Sequence, residues 1–311
     1  MKRCCVRVFY SLHAPARRFG GSTTAATASS SFLRTPGLAR PTTTRRRLFC
    51  QNAQRSFCSG RQQQTTIDPA KSRKDTLTVE TELIREADIL YEAFLVENLY
   101  KLLVRHKDSA NAELLWRLAR ATCEMAKRSG ISKTERKALM YEAFECAKLA
   151  LDFQPRSGGS FAVHKWYAIM LDYIGEYEGT KARLINSPEV KLHFEKACEM
   201  NPHDPTSWHL LGLWHFAFAD LPGYQRRLAG WIFASVPEAT FAEALAFFER
   251  AERIQPDFYK KNLLYMAKCH LRLGRPDEAR RLLERALRGP VVSPDDLESH
   301  KEAVELLKSL Q

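Results

Sequence analysis

The sequence predicts an all-α fold, a superhelix of about five helix pairs with a C-terminal capping helix, preceded by a disordered leader. Three observations predict it. From Leu77 to Leu310 apolar residues recur at helical spacing with almost no strand alternation. Turn residues cut that stretch into segments of about 10 to 20 residues. The second segment of successive pairs ends on small and large residues at a repeated spacing, followed by proline.

Charge separates the leader from the rest. Residues 1–67 hold twelve of the 48 Lys and Arg residues and no acid, since the first acidic residue is Asp68. Beyond them 36 basic residues face 36 acidic ones, so the net charge of +12 lies wholly in the leader. The remainder lacks the basic surplus that nucleic-acid binding relies on, and nucleic acid is set aside as a partner. At the start, Cys5, Val8, Phe9 and Leu12 share one helical face while Arg3 and Arg7 share the other. Ser/Thr/Ala-rich, acid-free sequence follows, which is the composition of a transit peptide. Arg55-Ser56-Phe57-Cys58-Ser59-Gly60 resembles a mitochondrial processing pattern. Residues 1–67 are therefore expected to be a mitochondrial targeting leader, with a plastid leader as the alternative, and 68–76 a linker. No stretch reaches the roughly 18 apolar residues that a membrane span requires.

The helix pairs follow in order. The first is expected at Val79–Phe94 and Glu97–Lys107, the second at Ala112–Ser129 and Lys133–Phe153. The third runs over Phe161–Ile174 and Glu178–Met200, the fourth over Ser207–Ala219 and Phe241–Ile254. The fifth is Tyr259–Leu273 with Pro276–Leu287, and a last helix spans Ser293–Leu310, where Ser293 caps and Pro294 suits the first turn. The shared spacing is Ala143, Ala147, Ala150, Leu151, Pro155; then Phe194, Ala197, Pro202; then Ala244, Phe248, Ala251, Pro256. Ala267, Gly274, Ala279 and Ala286 continue it, and Trp208-His209-Leu210-Leu211-Gly212 matches W-x2-L-G. Small residues let paired helices approach, large ones fill the gap to the next pair, and proline ends the second helix. Residues 77–311 are thus expected to form a tetratricopeptide-like domain. Two irregularities stand out: an insertion at 221–240, and about ten extra residues around Asn186–Val190.

At the insertion the sequence resembles the regulator of microtubule dynamics protein family. The resemblance rests on Trp214-His215-Phe216, on Phe218-Ala219-Asp220-Leu221-Pro222-Gly223-Tyr224-Gln225-Arg226-Arg227, and on the run from Pro256 to Leu264. Ala112–Arg120 and His164–Ile169 agree, so that it covers about Ala87 to Leu310. It implies a non-catalytic scaffold associated with microtubules and spindle poles, in the cytoplasm, with other members tethering mitochondria and binding phospholipid. A lipid-binding or lipid-transfer module is accordingly the alternative function.

Candidate sites follow from what the repeat does not explain. Tyr224, Arg226 and Arg227 lie in the insertion, and adjacent arginines suit carboxylate or phosphate. They are expected to bind an acidic partner, a microtubule or another acidic protein, or else a phospholipid head group; the bland reading is a salt bridge that holds the insertion in place. Trp166, Tyr167, Trp208 and Trp214, with Trp116, are candidates for lining a concave groove, although helical aromatics are packing residues first. His164, His209 and His215 have no second ligand at i+4, and no nucleophile elbow or phosphate loop is present. No catalytic residue, metal or cofactor is expected. Cys123, Cys146, Cys198 and Cys269 stand singly in helical patterns and read as buried free thiols.

Overall fold

The protein is described here by a computed structural model covering residues 69–155, 157–232 and 238–310, with side chains from Thr78 onward. The leader expected at 1–67 lies outside these residues. From Lys74 onward the described chain belongs to one compact unit. The unit Pro15–Arg73 lies almost wholly outside the described residues.

Among the described residues the structure is all helix. The elements are α1 (Pro69–Glu92), α2 (Val96–Leu103, continued by a 3₁₀ turn at Val104–His106), α3 (Ala112–Ala126), α4 (Lys133–Phe153), α5 (Phe161–Glu178) and α6 (Thr180–Met200). They continue as α7 (Pro205–Ala219), α8 (Gly223–Ile232), α9 (Phe241–Ile254), α10 (Lys260–Arg272), α11 (Pro276–Arg288) and α12 (Pro294–Ser309). The starts are set by side-chain caps that satisfy otherwise orphaned N–H groups. Asn111 accepts from Glu113 N, Ser132 from Glu135 N and Asp204 from Ser207 N. Thr240 with Glu243, and Ser293 with Asp296, form reciprocal capping boxes.

Helices pack as sequential pairs, α3 with α4, α5 with α6, α7 with α9, and α10 with α11. The small residues do what their spacing predicts. Ala143, Ala147, Ala150, Ala197, Ala244, Ala251, Ala267, Ala279 and Ala286 are all buried. Gly212 permits a close approach of α7 and α9: a Cβ there would stand 2.8 Å from the Phe248 ring. α12 packs against α10 and α11 as the capping helix.

Four details depart from the sequence reading. α1 begins at Pro69 rather than Val79. Gly274 is not a close-packing residue; it turns the chain between α10 and α11 at φ +73°, with open space where a Cβ would be. The extra residues near Asn186–Val190 form no loop, because α6 runs unbroken through Pro188. Proline lacks the N–H that would reach the Leu184 carbonyl, and the Ser187 hydroxyl donates to that carbonyl instead, at 2.7 Å. The Trp214 indole then donates to the Ser187 carbonyl at 2.9 Å, tying α7 to the same turn of α6. Lastly, the insertion carries a helix of its own, α8, which the sequence reading does not predict.

Candidate functional site

Two surfaces carry the candidate residues, the insertion helix and a concave cleft. α7 ends at Ala219, and α8 starts at Gly223 and packs against α6. Leu221, Gln225 and Ala229 are buried and seat it. α8 therefore lies on the repeat with one face outward, rather than projecting from it. On that outward face stand Tyr224, 61% exposed, and both arginines.

The two arginines differ. Arg226 sits toward the seated edge and its guanidinium donates to the Ala219 carbonyl at 3.4 Å, a weak contact at the end of α7. Arg227 lies fully on the outward face. Among the described residues, neither has a carboxylate within the 4.0 Å of an ion pair, so a salt bridge does not explain them. The acid nearest in sequence, Asp220, is engaged by Arg272 at 2.8 Å. Trp231, also on this face, is 89% exposed and was missed by the sequence reading. The signal that would have found it is the helical spacing of Tyr224, Arg227 and Trp231 opposite Gln225, Ala229 and Ile232.

The cleft, of about 800 Å³, opens between the first helices of the pairs. Of the five groove candidates Trp116 and Trp166 border it. Trp166 and Trp214 are both 1% exposed, and Tyr167 is buried. Tyr167 packs on His193 and donates to Glu189 at 2.6 Å; Trp214 stacks on Phe218; Trp208 is partly buried, stacking on Phe247. Packing thus claims three of the five, within a helix pair for Tyr167 and Trp208 and along α7 for Trp214.

Charged groups that the sequence reading missed give the cleft its character. Arg117 grips Asp88 with two bonds, Nε to Oδ1 at 3.0 Å and Nη2 to Oδ2 at 2.8 Å, and Arg120 reaches Oδ1 at 3.1 Å. The Arg120 guanidinium also lies 3.6 Å over the Tyr91 ring. Burial opposes the charge of Asp88, but the Arg117 bond and the two guanidinium charges outweigh it and hold its pKa below the ordinary carboxylate value. Lys165 meets Asp204 at 2.9 Å, and against the cost of burial this charge and the Ser207 donors keep Asp204 low as well. Arginines within the apolar run Leu114–Ala121 were the legible signal, since buried charge demands a partner.

The histidines are structural neighbours. His164 and His193 meet through their Nδ1 atoms at 2.8 Å, and His209 Nδ1 contacts Asn262 Oδ1 at 2.9 Å. Among the described residues no group of three or more His, Cys, Asp or Glu is placed to hold a metal ion. All four cysteines there are buried free thiols, as expected, and burial pushes Cys146 and Cys198 up to about 12. No described helix is long and apolar enough to cross a membrane.

Stacked helix pairs, a capping helix and a seated extra helix define the class: a helical-repeat protein of the tetratricopeptide type with an inserted surface. Comparison with known sequences narrows it. The family described as Regulator of microtubule dynamics protein 1-3 matches residues 83–311, and the chain belongs to that family. It is 47% identical over 228 residues to regulator of microtubule dynamics protein 1 of Pongo abelii, covering 73% of this chain and 72% of that one. Regulator of microtubule dynamics protein 2 of Mus musculus is 33% identical, over 74% of this chain and 56% of its own. Among solved structures, a thermophilic TPR protein of Thermus thermophilus covers 74% of this chain and 99% of its own, at 18% identity and a TM-score of 0.49.

Proposed function

We propose that the protein is a microtubule-associated scaffold, without catalytic chemistry, that meets acidic protein surfaces through the outward face of α8. The observation that carries the reading is the pair Arg226 and Arg227, exposed on an insertion the repeat does not need and free of ion-pair partners among the described residues. Nearby carboxylates on a partner would complete them. The names of the relatives, regulators of microtubule dynamics, supply the partner class. A lipid-transfer role would want a continuous apolar tunnel. The cleft instead is bordered by Asp88, Glu92, Glu113 and Asp204 beside its aromatic rings.

The test is the Arg226→Glu, Arg227→Glu double variant in co-sedimentation with microtubules, alongside its melting temperature. Weakened binding with an unchanged melt is expected, because exposed arginines contribute only about 0–1 kcal/mol to stability. Unchanged binding per folded molecule would overturn the reading. Sequencing the N-terminus of the native protein tests the leader: a start between Phe57 and Asp68 marks import, and an intact Met1 refutes it.

A further inference from the structure

We propose that Tyr224, Arg227 and Trp231 form a single anchor that docks on a folded protein partner, the two rings entering an apolar pocket whose rim carries carboxylates. The inference rests on the reading of α8 as the partner-contacting face, and it replaces a purely electrostatic contact with a partly apolar one.

The geometry comes first. Positions 224, 227 and 231 follow i, i+3, i+7 and form one stripe of a helix turning 3.6 residues at a time. Tyr224 is 61% and Trp231 89% exposed, with the Arg227 cation between them. A tryptophan left almost wholly in water forgoes the burial that its large apolar ring would gain, and the helix seats itself without it, on Gln225 and Ala229. Its contribution lies outside the chain's own fold.

Chemistry then selects the partner. Trp, Tyr and Arg are the residues that dominate binding at protein interfaces, where a few rigid side chains fill desolvated pockets. α8 contains no acidic residue, so the partner's matching rim is acidic. A flexible acidic tail alone would satisfy Arg227 and leave the indole in water. A bilayer fits less well, because helices that lie in a membrane interface present a broad apolar face. Here two rings share the outward face with Gly223, Arg226, Arg227 and Gly230, all exposed.

The experiment uses the full chain with two preparations, intact microtubules and microtubules whose acidic tails have been removed by subtilisin. Trp231→Ala is expected to weaken binding to both, on the order of tenfold to a hundredfold, with no change in melting temperature or in the salt dependence of what remains. Trp231→Phe should recover most of the affinity. Arg227→Gln should instead lower the salt dependence, since only a charge contact is screened. If Trp231→Ala binds as the parent does while the double Arg→Glu variant fails, the anchor is refuted and the electrostatic reading stands. If the parent or all variants show the same or no microtubule binding, both readings fall. Loss of Trp231→Ala binding confined to vesicles of phosphatidylserine and phosphatidylcholine would make α8 a membrane contact and overturn the proposal.

Discussion

Gly175 sits at a close approach of α5 and α6, and replacing it with alanine tests the packing logic of the whole repeat. A Cβ at that position would stand 2.9 Å from Arg183 Cα and 3.2 Å from its Cβ and Cγ. Ordinary carbon contacts lie at about 3.5–4.0 Å, so the two helices must part by roughly 0.6–1 Å. Arg183 has no easy way to move. Its guanidinium is held on Asp172 by two bonds of 2.8 Å, and both residues are buried. Overpacking of this kind costs about 1–3 kcal/mol, and loosening a buried ion pair adds to it. Alanine returns about 1 kcal/mol of helix propensity. A net loss of about 2 kcal/mol is expected, which for a domain of this size lowers Tm by about 4–8 °C. Thermal melts followed by circular dichroism measure it. The Asp172→Asn, Gly175→Ala double variant should be non-additive, since both changes act on one contact. A Gly175→Ala protein that melts at or above the parent temperature would refute the close approach as a determinant of the fold.

Two further substitutions probe neighbouring parts of the same logic. Ala251→Leu places bulk against Phe258, Tyr259 and the partly buried Trp208, and urea unfolding should show a loss of about 1–3 kcal/mol. Thr240→Ala removes the capping box at the start of α9 and should cost about 0.5–2 kcal/mol in the same assay, with the helix content unchanged.

How much of this was legible in the sequence depends on range. Helix pairs, caps and the buried alanines are local: Phe241–Ile254 and Lys133–Phe153 follow correctly from periodicity and flanking residues alone. α8 was missed because Pro222 and Gly223 read as a break, whereas Gly223 opens a helix whose buried residues are few, Gln225 and Ala229, and one of them is polar. The pairing of Arg117 with Asp88, and of Lys165 with Asp204, joins residues on different repeats, and no local pattern names a partner so far away. Of the aromatic candidates, Trp116 and Trp166 border the cleft, and Tyr167, Trp208 and Trp214 pack elsewhere. Inner and packing positions alternate within one helix, and only the superhelix geometry separates Trp166 at the cleft from Trp214, which reaches from α7 to α6.

The buried histidines make the fold sensitive to mild acid. His209 is wholly buried, and burial, with the nearby Lys261 charge, lowers its pKa to about 3 against the raising effect of its Asn262 bond. His193 falls to about 4 through burial, then through the neighbouring His164 and Lys196 charges. His215 falls to about 4 through burial and Lys191, although Glu243 opposes, its carboxylate 3.8 Å away. The sign follows from proton counting. Above pH 6.5 these rings are neutral folded and unfolded, and their environment carries no proton penalty. Below 6.5 the unfolded chain takes up protons that the folded chain refuses until about pH 4 or 3, so stability declines across that window. Between pH 7 and 5.5 each histidine removes about 1.2 kcal/mol, and the three together about 3.5 kcal/mol. Asp88 and Asp204, also held low, add to the loss only once the pH nears the ordinary carboxylate range. Urea unfolding at pH 7.0 and 5.5 measures the difference, and His209→Gln should reduce it by about a third. Stability that stays level or rises between those two pH values would show that protons reach these rings in the folded state, and the packing that encloses His209 would have to be redrawn.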